Sequence, residues 1–382
     1  MSEDGPDQGD LWDGAEFALA ADRLDTPDVV EAADPAEMLR QVASSAAQVR
    51  TAVRACAETD LSAFTPDARP RAIVVAGMGS SGTAGDILGV VCGAGVAVQV
   101  LTLRAGRLPG WVGAADLVFA VSSSGTTHET LAVAREAARR GCRLVGVGAE
   151  ASPLHRIAEQ ARAPFVKVDQ AGTVLPRQTL WALTVPLLVV AERLGIAQIG
   201  AEVYEQTAGR LEEVSHQCRP ASESFVNPGK SLGLDLMGGL PMIWGTSPLT
   251  AVVATRFASQ LNENAKCPAI AGILPEVKYN QLGTFDGPFA GEIPQFPLRL
   301  VIITDVELRE RVTTQDIATT IGELASQRGI SVSELATEGE HPLLRLAAVV
   351  QLTDYASVYL GIASGIDPGQ ADVIRDLPAR IE

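Results

Sequence analysis

From residue 71 onward, short apolar runs alternate with longer stretches whose apolar positions recur every three to four residues. RAIVVAGM (71–78), VAVQVLTL (96–103), ADLVFAVSSSG (115–125), RLVGVGA (143–149) and APFVKVD (163–169) read as strands. Helical spacing appears at 36–60, again from Ser81, and then at 127–141, 152–161 and 178–194. Strands that alternate with helices imply a parallel sheet with right-handed crossovers. A second cycle follows: strands at 239–247, 297–305 and 330–337, with helices at 248–265, 307–328 and 341–365. The halves look like a weak repeat of one architecture. We therefore expect an acidic N-terminal extension over 1–37, with its first dozen residues disordered. An N-terminal subdomain at 38–200, a helical linker at 201–234 and a C-terminal subdomain at 235–382 follow.

Composition narrows the class. Of 382 residues 47% are hydrophobic but only 4% aromatic, so the cores must be aliphatic and rich in alanine. A net charge of −16 argues against nucleic acid or an anionic membrane as partner. It leaves anionic small molecules open, because a binding site needs only local donors. Five scattered cysteines, odd in number and without a C-x-x-C, fit a reduced, cytoplasmic protein. No basic-then-apolar leader and no uninterrupted apolar run of membrane-spanning length is evident.

Two turns carry candidate chemistry. Gly77-Met78-Gly79-Ser80-Ser81-Gly82 matches the dinucleotide string G-x-G-x-x-G, and Ser122–Thr130 is a second strand-to-helix turn rich in hydroxyls. Helix N-termini with Gly and Ser bind anions through unpaired N–H groups. Ser80, Ser81, Ser122, Ser124 and Thr127 add hydroxyl donors, although Ser124 and Thr127 also suit plain helix caps. A dinucleotide site wants an acid at the end of the next strand, where this chain has Leu103-Arg104. Two further residues suit proton transfer beside a carbonyl. Glu263, in QLNENAK (260–266), has the chemistry of a general base, and Arg177, in LPRQ (175–178), suits an enediolate or phosphate oxygen, although read alone Glu263 is first a solvated helix-end glutamate and Arg177 also fits a surface or salt-bridged arginine.

Taken in order, GMGSSGTAGD, SSSGTTHETL, LPRQ, QLNENAK and DYASVYLGIASGIDP resemble the bifunctional phosphoglucose/phosphomannose isomerases of the sugar isomerase (SIS) superfamily, from about residue 40 to the end. The resemblance implies an α/β fold of two flavodoxin-like SIS subdomains, each a parallel sheet flanked by helices. It implies a homodimer with its site near subunit and subdomain boundaries. It places phosphate loops on Gly79, Ser80, Ser81, Ser122, Ser124 and Thr127, the enediolate-stabilising arginine on Arg177 and the base on Glu263. Glu263 would move a proton between C2 and C1 of an open-chain 6-phosphosugar through a cis-enediol, without metal or cofactor. Two positions depart from the family. In PEVKYNQL (275–282) Tyr279 stands where the family has a ring-opening histidine, and Pro378 falls where it has a C-terminal lysine. With 278 and 279 taken as strand residues, Lys278 faces away from Tyr279. The sequence thus offers an aldose–ketose isomerase acting on glucose 6-phosphate or mannose 6-phosphate. Its runner-up is a catalytically impaired phosphosugar sensor or partner protein, and a nicotinamide-dependent enzyme is third.

Overall fold

The computed structural model describes residues 14–168, 174–290, 296–305 and 312–376. The expected disordered first dozen residues and Pro378 lie outside that range. The chain divides into two compact units. One comprises 41–213 and 339–347, the other 1–40, 214–338 and 348–382.

The chain opens with α1 (Gly14–Asp25), α2 (Pro27–Ala33), α3 (Met38–Ala43) and α4 (Ser45–Glu58). β1 (Ala72–Ala76), α5 (Ser80–Cys92), β2 (Gln99–Leu103), β3 (Leu117–Ser122) and α6 (His128–Arg139) follow. β4 (Arg143–Gly148), α7 (Pro153–Ala161) and β5 (Phe165–Lys167) complete a five-stranded sheet of order β2-β1-β3-β4-β5, parallel throughout. Every residue of β1 and of β3 is buried. Continuous apolar strands such as AIVVA and LVFAV suit the centre of a sheet covered on both faces.

After α8 (Leu180–Arg193), α9 (Ala201–Gln217) and α10 (Pro228–Asp235), the pattern restarts. β6 (Leu240–Gly245), α11 (Pro248–Asn264), β7 (Ile270–Ile273), α12 (Val277–Asn280), β8 (Leu298–Thr304), α13 (Val312–Ser326) and β9 (Ser331–Ala336) follow, then α14 (Pro342–Ala363) and α15 (Asp372–Asp376). The second sheet, also parallel, has order β7-β6-β8-β9. Numbered within its own unit, each sheet runs 2-1-3-4, and the first adds a fifth strand. The expected α/β repeat is present.

Three details differ from the sequence reading. β7 was not expected, because IAGI is short and none of its residues is fully buried. Tyr279 lies on the helical turn α12, closed by Lys278 N–H to Pro275 O at 3.2 Å, and not on a strand. By length and apolar composition α14 reaches membrane-spanning dimensions, yet 94% of its most apolar window is buried inside the protein, as in a core helix.

The four-stranded unit also takes in the acidic N-terminal segment. Leu24 and Val30 are buried there. The fully buried Lys230 donates from Nζ to Leu24 O at 2.6 Å, Ser222 O at 2.7 Å and Pro220 O at 2.9 Å, and lies 3.3 Å from Asp25 Oδ1. Burial lowers the Lys230 pKa, and Asp25 opposes that shift.

Candidate active site

In the five-stranded unit β2 and β3 flank β1, so the winding direction reverses between β1 and β3. Ligands of open α/β sheets bind at such a switch point, beyond the carboxyl ends of the strands. Both hydroxyl-rich turns lie here: Gly77–Gly79 joins β1 to α5, and Ser123–Thr127 joins β3 to α6. Gly79 starts α5 with φ 53° and ψ −128°, a backbone conformation that glycine adopts without a Cβ clash.

Neither helix is capped by a side chain. Gly79 has none, and Thr127, at the N-cap of α6, does not use its hydroxyl as a cap. Instead Thr127 Oγ1 lies 2.9 Å from Ser122 Oγ. Ser152, Asn227 and Ser247 each accept a first-turn N–H at the starts of α7, α10 and α11, whereas the N-caps of α2, α4, α8 and α12 also make no side-chain cap. The plain-cap alternative for Thr127 therefore does not match its geometry. Nor does it describe Ser124, whose Oγ pairs with Thr126 Oγ1 at 2.8 Å. Uncapped first turns on two adjacent strands leave N–H groups that an anion can accept.

Ser81 is buried, and Ser80 Oγ donates to Arg177 O at 3.1 Å. Arg177 occupies the 3₁₀ turn Pro176–Gln178 and is 8% exposed, so its side chain is drawn into the protein while its backbone carbonyl meets Ser80. One unit thus gathers Gly79, Ser80, Ser81, Ser122, Ser124, Thr127 and Arg177. Arg104, the residue that kept a dinucleotide open, is paired with Asp86 of α5.

Glu263 and Tyr279 both belong to the four-stranded unit. α11 leaves the carboxyl end of β6 at Ser247 and runs 17 residues, about 25 Å, toward the opposite edge of the sheet. Glu263 is half-buried in its last turn. Tyr279 follows β7, and Leu274 N–H donates to Gly245 O at 2.8 Å, which fixes that segment at the carboxyl edge. The two residues therefore sit at opposite edges of one sheet. Tyr279 is 74% exposed, and Lys278 Nζ lies 4.6 Å from its ring centre instead of facing away.

Sequence reasoning passed over what holds the Glu263 turn. Lys266, with φ 54°, donates from Nζ to Glu263 O and to Gln370 O, each at 2.6 Å. Asn264 Nδ2 donates to Ser357 Oγ at 2.9 Å, and a buried pair, Arg256 with Asp354, joins α11 to α14. Burial pushes the Asp354 carboxyl up against the pull of Arg256. Among the described residues no group of three or more His, Cys, Asp or Glu could hold a metal ion.

Residues 225–381 match the family model for the bacterial phospho-glucose isomerase C-terminal SIS domain. The chain is 28% identical over 318 residues to a bifunctional phosphoglucose/phosphomannose isomerase of Caldicellulosiruptor bescii, covering 81% of this chain and 90% of that protein. A protein of the same name from Thermoplasma acidophilum is 27% identical over 315 residues, covering 81% of this chain and 89% of its own. The chain is a relative of these isomerases. In fold it is similar to tagatose-6-phosphate ketose/aldose isomerase from Escherichia coli, with a TM-score of 0.64 at 12% identity, over 94% of this chain and 96% of that one.

Proposed function

We propose that this chain is an aldose–ketose isomerase that interconverts glucose 6-phosphate, mannose 6-phosphate or both with fructose 6-phosphate. The observation that carries the reading is the pair of uncapped, hydroxyl-lined turns at the switch point, with Arg177 beside one of them. The turns hold the phosphate. The carboxylate of Glu263 takes the C2 proton of the open-chain aldose, and the electron pair passes to the carbonyl oxygen as a cis-enediolate forms. Arg177 stabilises that oxygen, a proton passes from the C2 hydroxyl to O1, and Glu263 returns its proton to C1 as the C2 carbonyl forms. This chemistry uses no metal or cofactor. The net charge of −16 fits a small-molecule partner better than nucleic acid or membrane, and five free cysteines fit a cytoplasmic setting.

The placement of Glu263 and Tyr279 favours a homodimer. A site that uses both residues draws Tyr279 from a second copy, because one chain holds them at opposite edges of a sheet. Complementation tests this. Glu263→Gln and Tyr279→Ala, each weak alone, should regain activity when mixed and reassociated, since one site in the mixed dimer then carries both native residues. The reaction itself is tested by a coupled assay of fructose 6-phosphate conversion. Zero turnover combined with a 6-phosphosugar thermal shift would replace this reading with the sensor, which the exposed tyrosine at the histidine position favours.

A further inference from the structure

We propose that Asp305 is a tethered anion that fills a second switch-point site, in the four-stranded unit. In the five-stranded sheet the last paired residues of β1 and β3 are Ala76 and Ala120, and Ser122 lies two residues beyond. In the four-stranded sheet the last pair of β6 and β8 is Gly245 and Ile303, and Asp305 lies two residues beyond. A carboxylate therefore stands at the register where the other sheet presents a hydroxyl.

Its surroundings are those of a bound anion. Ser247 Oγ donates to Oδ2 at 2.8 Å, and Thr337 Oγ1 donates to Oδ1 at 3.3 Å. The Asp305 N–H donates to Thr246 Oγ1 at 3.0 Å. Asp305, Ser247, Thr246 and Thr337 are all at least nine-tenths buried. Buried hydroxyl donors need acceptors, and here the chain supplies its own. On this assignment the described donors of the four-stranded switch point are taken by Asp305, and each chain takes one phosphosugar, at the turns around Ser80 and Ser122. That stoichiometry rests on the proposed function, whereas the role of Asp305 does not.

Truncating Asp305 leaves donors and a space the size of a carboxylate, suited to formate or acetate and too small for a phosphate monoester. In the full-length chain, Asp305→Ala should melt roughly 5 °C below the wild type. Sodium formate at about 100 mM should return roughly 2 °C of that loss, while equal sodium chloride returns none and the wild type does not respond. Equal responses to formate and chloride, or a wild type that responds as strongly, would overturn the assignment. If Asp305→Ala does not fold unaided, its refolding yield from urea should rise with formate and not with chloride, and an unchanged yield overturns it equally. Calorimetry separates the two proposals. Glucose 6-phosphate should bind the wild type once per chain, and two equivalents would overturn the plugged site. No binding at all would overturn the proposed function and leave the formate result standing.

Discussion

The two sheets wind alike, yet their switch points are finished in opposite ways. In the five-stranded unit the first turns of α5 and α6 lack side-chain caps, and Thr127 spends its hydroxyl on Ser122. In the four-stranded unit Ser247 and Thr250 cap α11 reciprocally, and Ser247 also donates to Asp305. One end lacks side-chain caps and the other is bonded internally through Ser247, Thr250 and Asp305. At their switch points, then, one copy leaves two helix starts without side-chain caps and the other holds a capped, internally bonded turn. In the proposed reaction the four-stranded copy supplies Glu263, from the last turn of α11.

The most severe way to test that division is Glu263→Gln. It should lower kcat by about 1,000-fold and leave the KM for the phosphosugar nearly unchanged, because the base removes a proton and holds no phosphate. A rise in KM with kcat intact would break the comparison. Next comes Ser122→Asp, which copies the Asp305 arrangement into the open unit. Phosphosugar affinity, read by calorimetry, should fall about 100-fold or more through repulsion between desolvated like charges. Circular dichroism should show the fold retained, and undiminished binding would mean that the anion site lies elsewhere. A matched pair sharpens the contrast with smaller effects. Ser247→Ala removes a working cap and should destabilise by about 1–2 kcal/mol in urea titration, with phosphosugar affinity unchanged. Thr127→Ala removes no cap and should weaken phosphosugar binding by several-fold, about 1 kcal/mol, with little change in stability. The reverse pattern would erase the distinction between the two ends.

The parallel sheets were legible because AIVVA, LVFAV and LVGVG are apolar at every position, which only central strands of a covered sheet require. The two hydroxyl-rich turns were legible from glycine and serine at strand ends. What separates them from the closed turn was not. GMGSSG and GTSPLT are both Gly/Ser turns, and the residue that closes the second, Asp305, lies 58 positions from Ser247. No local pattern carries such a contact. The same holds for Glu263 and Tyr279. They are close in sequence, but the direction of α11 sends one to each edge of the sheet. Lys266 was visible only as a neighbour of Glu263, since a lysine reaching two carbonyls has no sequence signature.

The Lys230 contacts bear on how the protein tolerates trimming at its front end. Two of the acceptors around that ammonium, Leu24 O and Asp25 Oδ1, come from the acidic opening segment. A chain begun after residue 25 would leave the buried ammonium with Pro220 O and Ser222 O alone of these four acceptors, a loss of about 1–3 kcal/mol. The segment around Leu24 and Asp25 is therefore part of the folded body it precedes in sequence, and cleavage just after it should destabilise the four-stranded unit.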